Sequence, residues 1–288
     1  MTPGDLARRI GATIGYARIE AGKLVDETPG ALHFQAASLG KTVTAVLALR
    51  HLDLDAPLRT AGWTPPFDAR DIRVRDVLRH VAGLSLPDYP GRDPDAPTPT
   101  LPASLDGTGA PEPLRRTEPA GRFAYSGGGY TWIQLALEER TGQSLDSLGR
   151  GLGLRFDPSG LTLATGHDAA GGALPFYRYD GAAAGLLATP GAYARFLIEA
   201  PLAELAADPV ATGGADGLWP AYGMGVEVDG RVVGHHGVNR GFRALAAFDL
   251  DTRDGLVLFA DRDGTADALE EAYRDWRRNS LRAGRPVG

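Results

Sequence analysis

The stretch His33–Leu49, HFQAASLGKTVTAVLAL, overlays two short chemical signatures. Gly40-Lys41-Thr42 ends the way a phosphate-binding loop ends, while Ser38-Leu39-Gly40-Lys41 is an S-x-x-K pairing of a hydroxyl with an amine. The phosphate loop needs a glycine five residues before Gly40, to turn tightly enough for its amides to cradle phosphate. Position 35 is Gln, and no downstream strand ends in an aspartate placed to hold magnesium, so nucleotide binding is set aside. The alternative places Ser38 and Lys41 on one face of a helix, with Cβ atoms about 5–6 Å apart. A serine hydroxyl attacks a carbonyl only when a neighbouring base takes its proton. A helix N-terminus near Ser38 also favours developing negative charge.

Composition sharpens the lysine. Of 30 basic residues only Lys23 and Lys41 are lysines. Arginine stays protonated in proteins, whereas a buried lysine can lose its proton, so a lysine kept here points to chemistry that arginine cannot perform. Lys23, in EAGKLVDE, reads as a charge in a turn. There is no cysteine, hence no disulfide, thiolate metal site or thiol nucleophile. Six scattered histidines form no H-E-x-x-H pattern, and neither a metal nor another cofactor is expected. The net charge of −6 comes without a basic stripe, which argues against nucleic acid. No apolar run approaches the roughly 18 residues of a membrane span. The start lacks a basic segment followed by an apolar one, so a cytoplasmic location is expected.

The elements that must hold these residues follow from periodicity. Residues 12–20 and 32–37 read as strands with a glycine-containing turn region between them, and the apolar run from Ser38 as a buried central helix. RDIRVRDVLRHVAGL (70–84) reads as an amphipathic helix closed by Gly83, followed by an irregular proline-rich segment, 87–119. Residues 126–143 lead from a loop into a helix ending at Gly142, and another helix starts at Thr189-Pro190. Residues 222–261 read as four strands in hairpins turning at Asp229-Gly230 and Asp254-Gly255, before a final helix over 265–283. The expected organisation is an α/β lobe with a central antiparallel sheet from residues 1–56 and 192–288. A mainly helical lobe, 57–191, is inserted into it and carries the proline-rich loop.

Two further motifs stand in order after Ser38-x-x-Lys41: Tyr125-Ser126-Gly127 in FAYSGGGY, and His235-His236-Gly237 in VVGHHGVNRGF. With them the chain resembles the serine β-lactamase and penicillin-binding-protein superfamily, most closely its class C β-lactamase, D-aminopeptidase and family VIII carboxylesterase branch. DLDAPL, VRDVLRHVAGL, PAGRFAYSGGGYTWIQLALEERTG, AAGLLATPGAYARFL and the 222–261 meander all fall where that branch has similar phrases, from about residue 11 to 262. The resemblance implies an α/β fold of the β-lactamase/transpeptidase type, with an antiparallel sheet flanked by helices.

It also implies roles. Ser38 becomes the acylated nucleophile, and Lys41 and Tyr125 the proton-handling pair, with either one able to take the serine proton. His235 stands where the superfamily's K-T-G lysine would be, offering a donor or partial charge toward Tyr125 or a substrate carboxylate. The backbone N–H groups of Ser38 and Val238 would form the oxyanion hole, while Gly127, His236 and Gly237 would face substrate. The remaining histidines, His33, His51, His80 and His167, are expected at packing or surface positions. Lactamases of the branch carry Asn where this chain has Gly127, and the triple glycine leaves space beside Tyr125. With the K-T-G lysine also replaced, poor β-lactam hydrolysis is expected. The expected activity is hydrolysis of a small ester or amide through a Ser38 acyl-enzyme. An acyltransferase using the same intermediate, or a non-catalytic binding protein that keeps the pocket, are the alternatives.

Overall fold

The computed structural model describes residues 3–213 and 218–283. The chain opens with helix α1 (Pro3–Ile10), the hairpin β1 (Ile14–Glu20) and β2 (Lys23–Glu27), strand β3 (Leu32–Ala37) and helix α2 (Gly40–His51). Short helices α3 (Val74–Leu78) and α4 (Leu101–Leu105) sit in irregular chain before α5 (Gly127–Thr141) and α6 (Leu145–Arg150). Strand β4 (Thr162–Leu163), helix α7 (Gly181–Ala184), strand β5 (Leu186–Ala188) and helices α8 (Pro190–Glu199) and α9 (Leu202–Leu205) follow. Strands β6 (Val210–Ala211), β7 (Ala221–Tyr222), β8 (Glu227–Asp229), β9 (Val232–Asn239), β10 (Phe242–Asp249) and β11 (Gly255–Ala260) lead to helix α10 (Ala266–Ala283).

Both ends of the chain build one antiparallel sheet, in the order β2-β1-β11-β10-β9-β8-β7-β6. Its two faces are both covered, and the period-2 alternation of the strands shows how. Leu245, Ala247, Leu258 and Ala260 face a cluster with Leu6 of α1 and Leu269 and Tyr273 of α10. Ala244, Ala246, Phe248, Val257 and Phe259 face the larger core with Phe34, Val43, Tyr193 and Phe196. Helix α2 lies inside that core, buried from Gly40 to Ala48, as its unbroken apolarity requires. Strand β3 pairs with β5 and β4 in a small separate sheet and delivers the chain to α2. The result is a mixed α/β protein whose antiparallel sheet is flanked by helices.

Several local expectations are corrected. The turn region between the first strands contains β2, which pairs with β1. Of residues 70–84, only Val74–Leu78 is helical. His80 adopts a left-handed backbone (φ 58°), which ends the helix early, and Gly83 (φ 71°) turns the chain again. The last hairpin does not turn at Asp254-Gly255. The Asp249 carboxylate accepts the N–H groups of Asp251 and Thr252 instead, and Arg253 takes the positive φ. Gly255 already belongs to β11, where a Cβ would sit 2.9 Å from Ile19 Cδ1. The proline-rich segment is not wholly irregular, since Thr100 caps α4 within it.

Candidate active site

Strand β3 ends in a strained turn. Ala37 takes φ 50°, a conformation that costs a non-glycine residue free energy, and the next residue is Ser38. Helix α2 then begins at Gly40, so Lys41 lies in its first turn. Lys41 is only 2% exposed, and its Nζ donates to Ser38 Oγ at 3.0 Å and to the Ala183 carbonyl of α7. Burial lowers the lysine pKa to about 7, because the ammonium loses its water. The charges of Asp88 and Glu227 offset part of this fall. Tyr125 comes from the loop leading into α5, and Lys41 Nζ lies 4.8 Å from its ring centroid. Burial holds the phenol well above its ordinary pKa, while the hydrogen bond with Ser38 pulls the other way. Of these two opposing effects on Tyr125, the burial and the Ser38 hydrogen bond, burial wins, so the resting side chain is a phenol.

Strand β9 supplies the opposite wall. Gly237 packs on the nucleophile turn so closely that a Cβ would stand 2.6 Å from the Ala36 carbonyl. That contact sets the distance between Ser38 and the exposed Val238, which is 55% accessible. His235 is buried, and its nitrogens are occupied: the Tyr222 hydroxyl lies 2.9 Å from Nε2 and the His236 carbonyl 2.5 Å from Nδ1. With Nδ1 donating to that carbonyl, Nε2 accepts from Tyr222. Burial lowers its pKa to about 4, against the pull of Glu227, so His235 is a neutral dipole near neutral pH.

His236 is partly exposed beside it. Its Nδ1 lies 2.6 Å from Glu227 Oε1, and its backbone N–H donates to Glu227 Oε2 at 3.0 Å. Burial alone would raise the Glu227 carboxyl, but His236 and His235 overrule it and hold it below its ordinary value. The ligand atoms of Glu227, His235 and His236 lie within 4.8 Å of one another. Both His235 nitrogens are already committed, which makes this grouping a hydrogen-bond network rather than a fitted metal cage.

Ser38, Asp88 and Val238 are shared by two cavities of about 510 and 370 Å3. The larger holds Lys41, Tyr179, Arg240 and Arg243, and the smaller Phe123, Tyr125, Tyr222, Glu227 and His236. Ser38 therefore stands where a charged half-cleft meets an aromatic one. Gly127 lines neither: its N–H donates to the Pro87 carbonyl at 2.9 Å, and a Cβ would lie 2.9 Å from that oxygen. The space expected beside Tyr125 is filled, with Leu114 and Leu86 against Gly128 and Val77 against Gly129. The three glycines serve close packing of α5. Ser126 caps that helix by accepting the Gly129 N–H.

Sequence reasoning singled out Ser38, Lys41 and Tyr125, which the structure brings into mutual contact, and His236, Gly237 and Val238, which it places around the same cleft. It missed Asp88, Glu227 and Tyr222, whose local sequences carry no chemical pattern. His80, expected at a packing or surface position, is buried among Phe123, Tyr125, Tyr130 and Tyr222. The one available signal was position: Asp88 and His80 flank the phrase VAGLSLP that precedes the proline-rich segment.

Solved structures of other proteins share this fold. Among solved structures, a D-amino acid amidase from Ochrobactrum anthropi SV3 complexed with D-phenylalanine is 19% identical, with a TM-score of 0.73 over 96% of this chain and 97% of that one. A D-stereospecific amidohydrolase from Streptomyces sp. is 20% identical, with a TM-score of 0.69 over 94% and 98%. SurE is 21% identical, with a TM-score of 0.69 over 93% of this chain and 72% of its own. No curated protein sequence gave a significant match. A family model described as Beta-lactamase matches residues 7–279.

Proposed function

Because the chain belongs to the beta-lactamase family, we propose that it is a serine hydrolase that cleaves a small ester or amide through an acyl-enzyme on Ser38. The observation that carries this reading is the enclosed Lys41–Ser38 contact of 3.0 Å, with a lysine whose pKa has fallen to about 7. Near neutral pH about half of such lysines are unprotonated, and an amine at that distance can take the hydroxyl proton.

In the proposed cycle Lys41 Nζ removes the proton from Ser38 Oγ as Oγ bonds to the substrate carbonyl carbon. The carbonyl electron pair moves onto oxygen, which the backbone N–H groups of Ser38 and Val238 receive. When the pair returns, the bond to the leaving group breaks. The leaving alcohol or amine takes a proton from Tyr125, a phenol at rest, and Tyr125 is reprotonated from Lys41. Water then repeats the sequence against the acyl-enzyme and releases the acid. In this scheme Lys41 is the base and Tyr125 the relay. His235 and Tyr222 act as a neutral hydrogen-bonded wall rather than as a charge for a substrate carboxylate.

Turnover of p-nitrophenyl esters and of D- and L-amino-acid p-nitroanilides tests the reading, with Ser38→Ala as the control. Wild-type turnover that Ser38→Ala abolishes supports it. Wild type inert to the whole panel would overturn it.

A further inference from the structure

His80 has three features that a packing histidine does not need. Its backbone is left-handed at φ 58°, a strained state that persists only where the surroundings enforce it. Its carbonyl accepts the Ala124 N–H at 2.7 Å, and its Nδ1 accepts the Ser126 N–H at 3.0 Å. These bonds grip the residues immediately before and after Tyr125. Its ring also lies 4.3 Å from the Tyr125 ring, with Tyr130 at 5.1 Å, Tyr222 at 4.9 Å and Phe123 at 5.9 Å around it.

We propose that His80 is the positioning residue for Tyr125, clamping the backbone on both sides of the tyrosine and packing against its ring at a tilt of 36°, with the imidazole proton on Nε2. The tautomer follows from geometry: an Nδ1 that accepts a backbone N–H carries no proton. The buried Nε2–H then has no hydrogen-bond partner among the described residues and faces a shell of aromatic rings. The left-handed backbone is what turns both the carbonyl and the ring toward the same short segment. Burial, together with the nearby Lys41 and His235, disfavours the protonated ring, which keeps Nδ1 free to accept. A phenol that must sit between Ser38 and Lys41 gains reach and aim from this, and a misplacement of about 1 Å at such a site costs on the order of 100-fold in rate.

The kinetic arm of the test rests on the hydrolase reading, and a second arm does not. Single and paired variants of His80→Phe, His80→Asn and Tyr125→Phe are compared by p-nitrophenyl ester turnover, with thermal unfolding to confirm folding. His80→Phe keeps a ring but no acceptor, and should lower kcat by roughly 100-fold with KM changed little. Asn tolerates the left-handed backbone and offers Oδ1 to the Ser126 N–H, so His80→Asn should recover to within about tenfold of wild type. With Tyr125→Phe in place, His80→Phe should cost less than about threefold further, because the two act as a unit. Equal losses in both backgrounds, or an Asn variant no better than the Phe variant, would overturn the proposal.

The second arm measures histidine 15N shifts in the wild-type protein between about pH 5.5 and 8.5, with the His80 signal identified by its loss in His80→Asn. An unprotonated, non-titrating Nδ1 supports the clamp, and a protonated one refutes it. This arm decides alone if His80→Phe does not fold or if the wild type proves inert to the ester. Inertness itself counts against the hydrolase reading only.

Discussion

Replacing Lys41 by methionine is expected to end catalysis and to change how the stability of the protein depends on pH. The side chain is buried, and its pKa drops from 10.5 to about 7, first because of desolvation. A drop of that size corresponds to roughly 5 kcal/mol held against the native state. Below about pH 7 the lysine is charged in both states and the whole penalty applies. Between about pH 7 and 10.5 the unfolded chain binds the extra proton, so wild-type stability rises by roughly 1.4 kcal/mol per pH unit from this group. Above that range the penalty is gone.

Methionine carries no such dependence. It leaves Ser38 Oγ and the Ala183 carbonyl without the Nζ donor, a cost of about 1–3 kcal/mol per unsatisfied group that does not vary with pH. The stability of Lys41→Met relative to wild type should therefore fall by roughly 2 kcal/mol between about pH 7 and 9. Urea unfolding of both proteins across this range measures that difference directly, because other titrating groups cancel. Two stability curves running parallel from about pH 6 to 9 would refute the buried, depressed lysine on which the mechanism depends.

Arginine at the same position stays protonated, so Lys41→Arg should lose activity about as completely as Ser38→Ala, on the order of 1000-fold or more in kcat/KM. Retention of most ester turnover would remove Lys41 from the base role. Wild-type kcat/KM should rise with pH through about 7, since only the unprotonated amine accepts a proton and that form gains population above this value; a profile flat down to about pH 5 would contradict it. Gly237→Ala brings a methyl to 2.6 Å from the Ala36 carbonyl, so β9 must move off the nucleophile turn. A loss near 100-fold in kcat is expected, and unchanged kinetics in a folded variant would count against the close approach. Restoring the lactamase asparagine through Gly127→Asn should not create β-lactam turnover; the side chain meets the Pro87 carbonyl and destabilises the protein by about 1–3 kcal/mol, measurable as a lower Tm alongside a nitrocefin assay.

How much was legible in the sequence depended on the range of the interaction. Ser38 and Lys41 are three residues apart at a helix start, so their spacing alone predicts contact. The longer sheet strands β1, β9, β10 and β11 were readable from their composition and turns, while β2 and the two-residue β6 were not, and two helix ends were marked by Gly142 and Thr189-Pro190. Tyr125 is 84 residues beyond Lys41 and became readable only through a resemblance covering most of the chain.

What stayed hidden was decided in three dimensions. Residues 70–84 have a good amphipathic pattern, yet the helix stops at Leu78 because His80 is drawn to the 124–126 segment. The triple glycine looked like free space, but Leu86, Pro87, Leu114 and Val77 occupy it. In the His-His pair nothing local tells which ring is buried against Tyr222 and which reaches the cleft with Glu227. Asp88 reads as an ordinary loop acid, and only the fold puts it beside Ser38 at the junction of the two half-clefts.

The central claim is a covalent acyl group on one oxygen. Rapid acid quenching during p-nitrophenyl ester turnover, followed by intact-mass and peptide mass spectrometry, measures it directly. A single acyl adduct is expected on the peptide carrying Ser38, absent in Ser38→Ala and no longer formed in Lys41→Arg. Steady turnover with no adduct at any quench time, or an adduct on a different residue, would contradict it.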